Sequence, residues 1–120
     1  MKYVPVIQTN GTLSVYAVQD GRTPTLDWLQ KQVGGYIEVA GVCLRGKLRM
    51  VVNEEGLLQE LPLNTTATDL YSGTSNIVGP AVVLKQHGCD LVPLDPDELK
   101  LIAAFCASSL VETRQVEVEA

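Results

Sequence analysis

Asn10-Gly11 lies between two short β-rich runs, Tyr3 to Gln8 and Thr12 to Gln19. Both residues of that pair accept positive φ, which is the local signature of a tight hairpin. In the second run Leu13, Val15 and Ala17 alternate with Ser14, Tyr16 and Val18. The pattern recurs downstream. Tyr36 to Leu44 and Leu48 to Val52 read as partner strands joined through Arg45-Gly46-Lys47. Ile77 to Lys85 reads as a further strand, and Gly79-Pro80 favours an edge or a bulge within it. Two strands joined by a few residues must run antiparallel, because a parallel crossover needs roughly a dozen residues or more. The expected fold is therefore α+β, a mainly antiparallel sheet of hairpins with two or three helices packed on one face.

The helices announce themselves by their starts. Thr23-Pro24 opens the first, with threonine as cap and proline at the first helical position. Leu26, Leu29 and Val33 then share a face, Trp28 lies at the flank, and Gly34-Gly35 ends the helix. Asn64 or Thr65 caps a short helix through Ala67 and Leu70. Asp95-Pro96-Asp97-Glu98 is the clearest local signal: a capping aspartate, proline at the first helical position and a glutamate that reaches back. Leu99, Ile102, Ala103, Cys106 and Leu110 continue it as one apolar stripe. A chain of 120 residues supports one core, so residues 1–112 are expected to form a single domain, with 113–120 as a tail or a short strand.

Composition narrows the function classes. Nine lysines and arginines stand against 14 acidic residues, for a net charge of −5. The basic residues are scattered along the sequence, which opposes nucleic-acid binding by counterion release. No apolar stretch approaches the roughly 20 residues of a membrane span, and Met1 to Pro5 lacks a secretory leader, so a cytoplasmic protein is expected. Three cysteines, Cys43, Cys89 and Cys106, fit reduced thiols better than a disulfide framework. His87-Gly88-Cys89-Asp90 is the only cluster of metal-type ligands, and it reads as a surface turn. No catalytic residue, metal or cofactor is expected.

One set of polar residues is concentrated near the ends of apolar stretches. Asn53 and Asn64 carry amides that both donate and accept, and each also suits a turn or a helix cap. The sequence-based candidate is a pocket in which Tyr36, Glu38, Asn53, Glu54 and Asn64 converge, with Asn76 from the polar loop Gly73 to Asn76. Tyr36 would stack on a ring while an amide reads its polar edge. Glu54-Glu55-Gly56 also has the form of an ordinary exposed turn.

Four segments occur in a telling order: Val33-Gly34-Gly35-Tyr36-Ile37-Glu38, Val52-Asn53-Glu54-Glu55-Gly56, Leu61-Pro62-Leu63-Asn64 and Ile77-Val78-Gly79-Pro80-Ala81-Val82. In order and spacing they resemble the domain of unknown function 3846 family, small proteins encoded largely by bacteriophages, plasmids and bacteria. The resemblance runs from about the first hairpin to Leu84, and the C-terminal helix reads as a variable addition. It implies an accessory protein of a mobile element. The expected function is non-catalytic binding, with a nucleotide-derived small molecule sequestered to counter a host defence. The alternative is a protein-interaction module that binds a host or phage protein through an exposed sheet edge. A homo-oligomer is expected, because 120 residues leave little room for a deep pocket.

Overall fold

The structure, a computed structural model, describes residues 1–44, 46–106 and the backbone of 111–113. The elements are β1 (Lys2–Ile7), β2 (Leu13–Val18), α1 (Leu26–Val33), β3 (Ile37–Val42), β4 (Leu48–Asn53), α2 (Thr65–Leu70), β5 (Ala81–His87), β6 (Asp90–Val92), α3 (Pro96–Phe105) and β7 (Val111–Thr113). One sheet has the order β3-β4-β5-β1-β2-β7, and β6 pairs with β5. Every pairing is antiparallel except β2 with β7, which is parallel. The architecture is α+β with a mainly antiparallel sheet. Residues 114–120, most of the expected tail, lie outside the described residues, as does Leu110 of the apolar stripe.

The Asn10-Gly11 hairpin forms, but of the pair only Gly11 takes a positive φ, +86°. Ile7 pairs with Leu13. The Thr12 N–H donates to Asn10 Oδ1 at 2.9 Å, which closes the turn locally. The His87 to Asp90 segment is likewise a turn, and it joins β5 to β6. The short strand β6 is not marked in the sequence, because three residues carry too little periodicity to be read.

Both faces of the sheet are covered, which corrects the expectation of helices on one face. Val4, Val6, Tyr16, Val18, Val82 and Leu84 pack with Leu29 and Val33 of α1. Ile7, Leu13, Met50 and Val83 face the other way, against Ala67 and Leu70 of α2, Ile102 of α3 and its C-cap Cys106. Side chains alternate between faces along a strand, so a strand buried on both sides is apolar at both parities. Leu13–Val18 is such a strand, with all six residues buried.

Three boundaries move for local reasons. Thr25, not Thr23, caps α1: its hydroxyl accepts from the Trp28 N–H at 3.1 Å. Leu26 therefore sits in the first turn and is exposed, while Leu29 and Val33 carry the buried face. Trp28 meets Tyr16 edge to face at 5.1 Å. β5 begins at Ala81 rather than Ile77. Ahead of it, Leu63 bridges Val78, and the Gly79 N–H donates to the Pro62 carbonyl at 2.8 Å.

α3 starts with the capping box read from the sequence. The Glu98 N–H donates to Asp95 Oδ1 at 2.9 Å, and the Asp95 N–H donates to Glu98 Oε1 at 3.0 Å. Lys85 reaches Glu98 at 3.0 Å and Asp95 at 3.8 Å. The Glu98 N–H, followed by the charge of Lys85, holds the Asp95 carboxyl below its ordinary value. A depressed carboxyl stabilises the fold at neutral pH, and that contribution fades as pH falls through the folded-state value. Asp95→Ala is expected to cost about 1 kcal/mol at pH 7. The gap to wild type should narrow in urea melts taken below about pH 4. A gap independent of pH would contradict this role.

Candidate functional site

A cleft of about 570 Å³ opens at the β3 edge of the sheet. Its floor comes from Glu38 and Ala40 of β3 and Val52 of β4, and Glu38 pairs with Val52 in register. One wall is the turn after β4, from Asn53 to Leu58. The opposite wall is Tyr71 with Ser75 to Val78, which follow α2.

Local chemistry explains each wall. Asn53 is buried at the end of β4. Its Oδ1 accepts from the Glu55 N–H at 2.7 Å, which bends the chain into the turn. Its Nδ2 donates to the Val33 carbonyl at 3.1 Å and to Gln59 Oε1 at 3.2 Å. A Cβ on Gly35 would lie 2.9 Å from that Nδ2, so the glycine admits the Asn53 amide against the end of α1. On the far wall, Tyr71 donates its hydroxyl proton to the Ala40 carbonyl at 2.8 Å. Ala40 sits at a register shift between Val39 and Gly41, where β3 bulges.

The structure brings together four of the six candidate residues: Glu38, Asn53, Glu54 and Asn76 all line the cleft. Tyr36 and Asn64 are not among its lining residues. Tyr36 is 66% exposed next to the cleft, and its carbonyl accepts from the Glu54 N–H at 2.8 Å. Asn64 is fully buried. Its Nδ2 donates to the Ile7 and Gly79 carbonyls, each at 2.9 Å, and its Oδ1 accepts from the Ala67 N–H at 3.0 Å. That side chain joins β1, the approach to β5 and the start of α2.

Exposed apolar residues also border the cleft, and the sequence marks them only weakly. Leu57 and Leu58 are 78% and 81% exposed, and Val39 is 48% exposed. Leu57-Leu58 carries the only available signal, two leucines in a turn between polar residues. β3 is also a terminal strand of the sheet. Because the Glu54 N–H reaches the Tyr36 carbonyl, the antiparallel alternation turns the backbone groups of Ile37 and Val39 outward. Farther along, the outer side of β3 is covered: Ser72 donates to the Val42 carbonyl at 3.0 Å, and Leu44 donates to the Leu70 carbonyl at 3.0 Å. The open part of the edge is thus the part beside the cleft.

Among the described residues the lining includes three carboxylates, Glu38, Glu54 and Glu55, and no lysine or arginine. No group of three His, Cys, Asp or Glu side chains among the described residues is placed to hold a metal ion. Cys43 is buried away from solvent, and burial pushes its thiol up to about 12, which leaves it unreactive. Among the described residues no helix is long and apolar enough to cross a membrane.

A family model described as a domain of unknown function (DUF3846) matches residues 1–106. The chain belongs to that family. The match extends past Leu84 through α3, so the C-terminal helix is part of the family's domain rather than an addition. Its packing agrees, since Ile102 is fully buried in the core beneath the sheet. No curated protein and no solved structure matches the chain.

Proposed function

We propose that this protein is a non-catalytic binding module that takes an extended protein segment along the open edge of β3. The observation that carries the reading is the coincidence of outward backbone groups at Ile37 and Val39 with exposed Val39, Leu57 and Leu58. An added strand would gain main-chain hydrogen bonds from the edge and apolar contacts from the leucines. Glu38, Glu54 and Glu55 favour an occupant that carries lysine or arginine among its apolar residues.

The partner class in this reading is a host or phage protein, met in the cytoplasm, as the family's association with mobile elements implies. Interference with a host defence and assembly into a homo-oligomer remain part of the same proposal. A nucleotide-derived ligand in this cleft has weaker support, because three carboxylates repel a phosphate and no cation in the lining offsets them.

The test uses a fluorescent heptapeptide of alternating valine and lysine, with a valine–glutamate counterpart. The cationic peptide is expected to bind, and Leu57→Asp with Leu58→Asp should weaken it at least tenfold, about 1.4 kcal/mol. Val39→Pro should do the same. Proline there removes an outward N–H and leaves the β3–β4 ladder intact. Equal binding of both peptides, or no effect of either variant, would overturn the proposal.

A further inference from the structure

The lysines and arginines, scattered in the sequence, are not scattered in the fold. Lys2, Arg22, Lys47 and Lys85, four of the nine, line two clefts that share Lys85 and His87. His87 is the chain's only histidine. These clefts lie at the end of the sheet where β1 begins and β5 leaves, since Leu48 at the start of β4 pairs with Lys85. The acidic cleft lies at the other end, where β4 finishes at Asn53. A protein of net charge −5 therefore gathers four of its basic residues at one end, beside Asp95 and Glu98.

The two cationic clefts differ in their balance. One, of about 330 Å³, includes Glu98, which pairs with Lys85 at 3.0 Å. The other, of about 300 Å³, is lined by Lys2, Arg22, Lys85 and His87, with Val92 and Pro93 as an apolar wall. Among the described residues none of its lining is acidic. Asp95 and Glu98 partly neutralise Lys85 from the α3 side and hold its stem in place. Arg22 has no ion pair among the described residues, and Lys2 makes no close one, although its charge reaches Asp95 and helps to lower that carboxyl. Cations that nearby carboxylates offset only in part repel one another, and a bound anion removes the repulsion that is left.

We propose that this second cleft binds the phosphate monoester of a small ring-bearing molecule. The phosphate sits against Lys2, Arg22 and Lys85, and the ring lies on Val92 and Pro93. A guanidinium presents two parallel N–H donors to phosphate oxygens, and lysine adds a point charge. The imidazole N–H of His87 supplies a further donor. The volume exceeds what a bare phosphate fills, which is why an ester is favoured over the free ion. The inference is independent of strand addition at β3 and involves the opposite end of the molecule.

The experiment is an NMR titration of the full chain at low salt with AMP, inorganic phosphate and adenosine in turn. AMP is expected to shift amides of Gly21 to Thr23 and of Val92, and to bind at least several-fold more tightly than phosphate. Adenosine should bind more weakly than either. Arg22→Gln and Lys2→Gln should each weaken AMP about tenfold, while Leu58→Asp leaves it unchanged. Arg22 lies in an exposed loop, so an unaltered amide spectrum elsewhere would show that this variant is folded. Failure of AMP to bind at millimolar concentration, adenosine binding as well as AMP, or an unaltered affinity in Arg22→Gln would each overturn the proposal. Equal affinity for phosphate and AMP would overturn the ester and leave a simple anion.

Discussion

Asn64→Ala is expected to lower folding stability by about 3–5 kcal/mol, because it strips partners from three buried backbone groups, each at the lower part of the roughly 1–3 kcal/mol range. The groups are the carbonyls of Ile7 and Gly79 and the Ala67 N–H. They lie in β1, ahead of β5 and in α2, so one side chain ties three parts of the chain together. A domain is typically stable by only about 5–15 kcal/mol, so the loss is a large share. The melting temperature should fall by roughly 10–20 °C. Trp28, the single tryptophan, reports the transition by fluorescence.

Asn64→Asp separates the cap from the long-range bonds. An aspartate keeps an oxygen for the Ala67 N–H but turns a carboxylate oxygen toward two carbonyls. Burial beside those carbonyls raises its folded-state pKa, so folding takes up a proton. The deficit relative to wild type should therefore shrink as pH falls through that value toward the ordinary carboxylate range. A cost below about 1 kcal/mol for the alanine variant would contradict the account, since that is the net worth of one ordinary hydrogen bond.

Gly79→Val is the second large effect. Gly79 has φ +75°, a region that β-branched residues avoid. A Cβ there would also lie 2.7 Å from Leu61 Cδ1. Leu61 can turn its methyl aside, so backbone strain of about 1–3 kcal/mol carries most of the cost. The same residue donates to the Pro62 carbonyl and accepts from Asn64, so the damage should spread to the start of α2. Hydrogen exchange of the Ala67 and Thr68 amides measures that spread. Unchanged protection at those amides would show that the strain stays local.

Short-range features were legible and long-range ones were not. The Asn10-Gly11 hairpin, the Asp95 capping box and the Asn64 cap each depend on residues within a few positions of one another. The other bonds of Asn64 cross 57 and 15 residues, and no local pattern marks them. The coverage of both sheet faces was written in β2, which is apolar at both parities. Hairpin connections by themselves favour a half-solvated sheet, so the connections and the pattern of β2 point different ways.

The site shows the same division. Asn53, Glu54 and Glu38 meet because β3 and β4 pair in register. Asn76 joins them only because α2 returns the chain to that edge. That β3 ends the sheet follows from pairings elsewhere, such as Val6 with Val82, so the open edge could not be read from β3 itself. The cationic cleft is hidden likewise: Lys2, Arg22 and Lys85 are far apart in sequence and meet at the ends of different strands.

The central claim is that a protein segment adds to β3 at Ile37 and Val39. Amide hydrogen exchange of the full chain, with and without the valine–lysine heptapeptide, tests it most directly. The account predicts that the Ile37 and Val39 amides, turned away from β4, become protected on binding, while the Glu38 amide inside the ladder changes little. Protection that appears elsewhere, with Ile37 and Val39 exchanging as in the free protein, would contradict it.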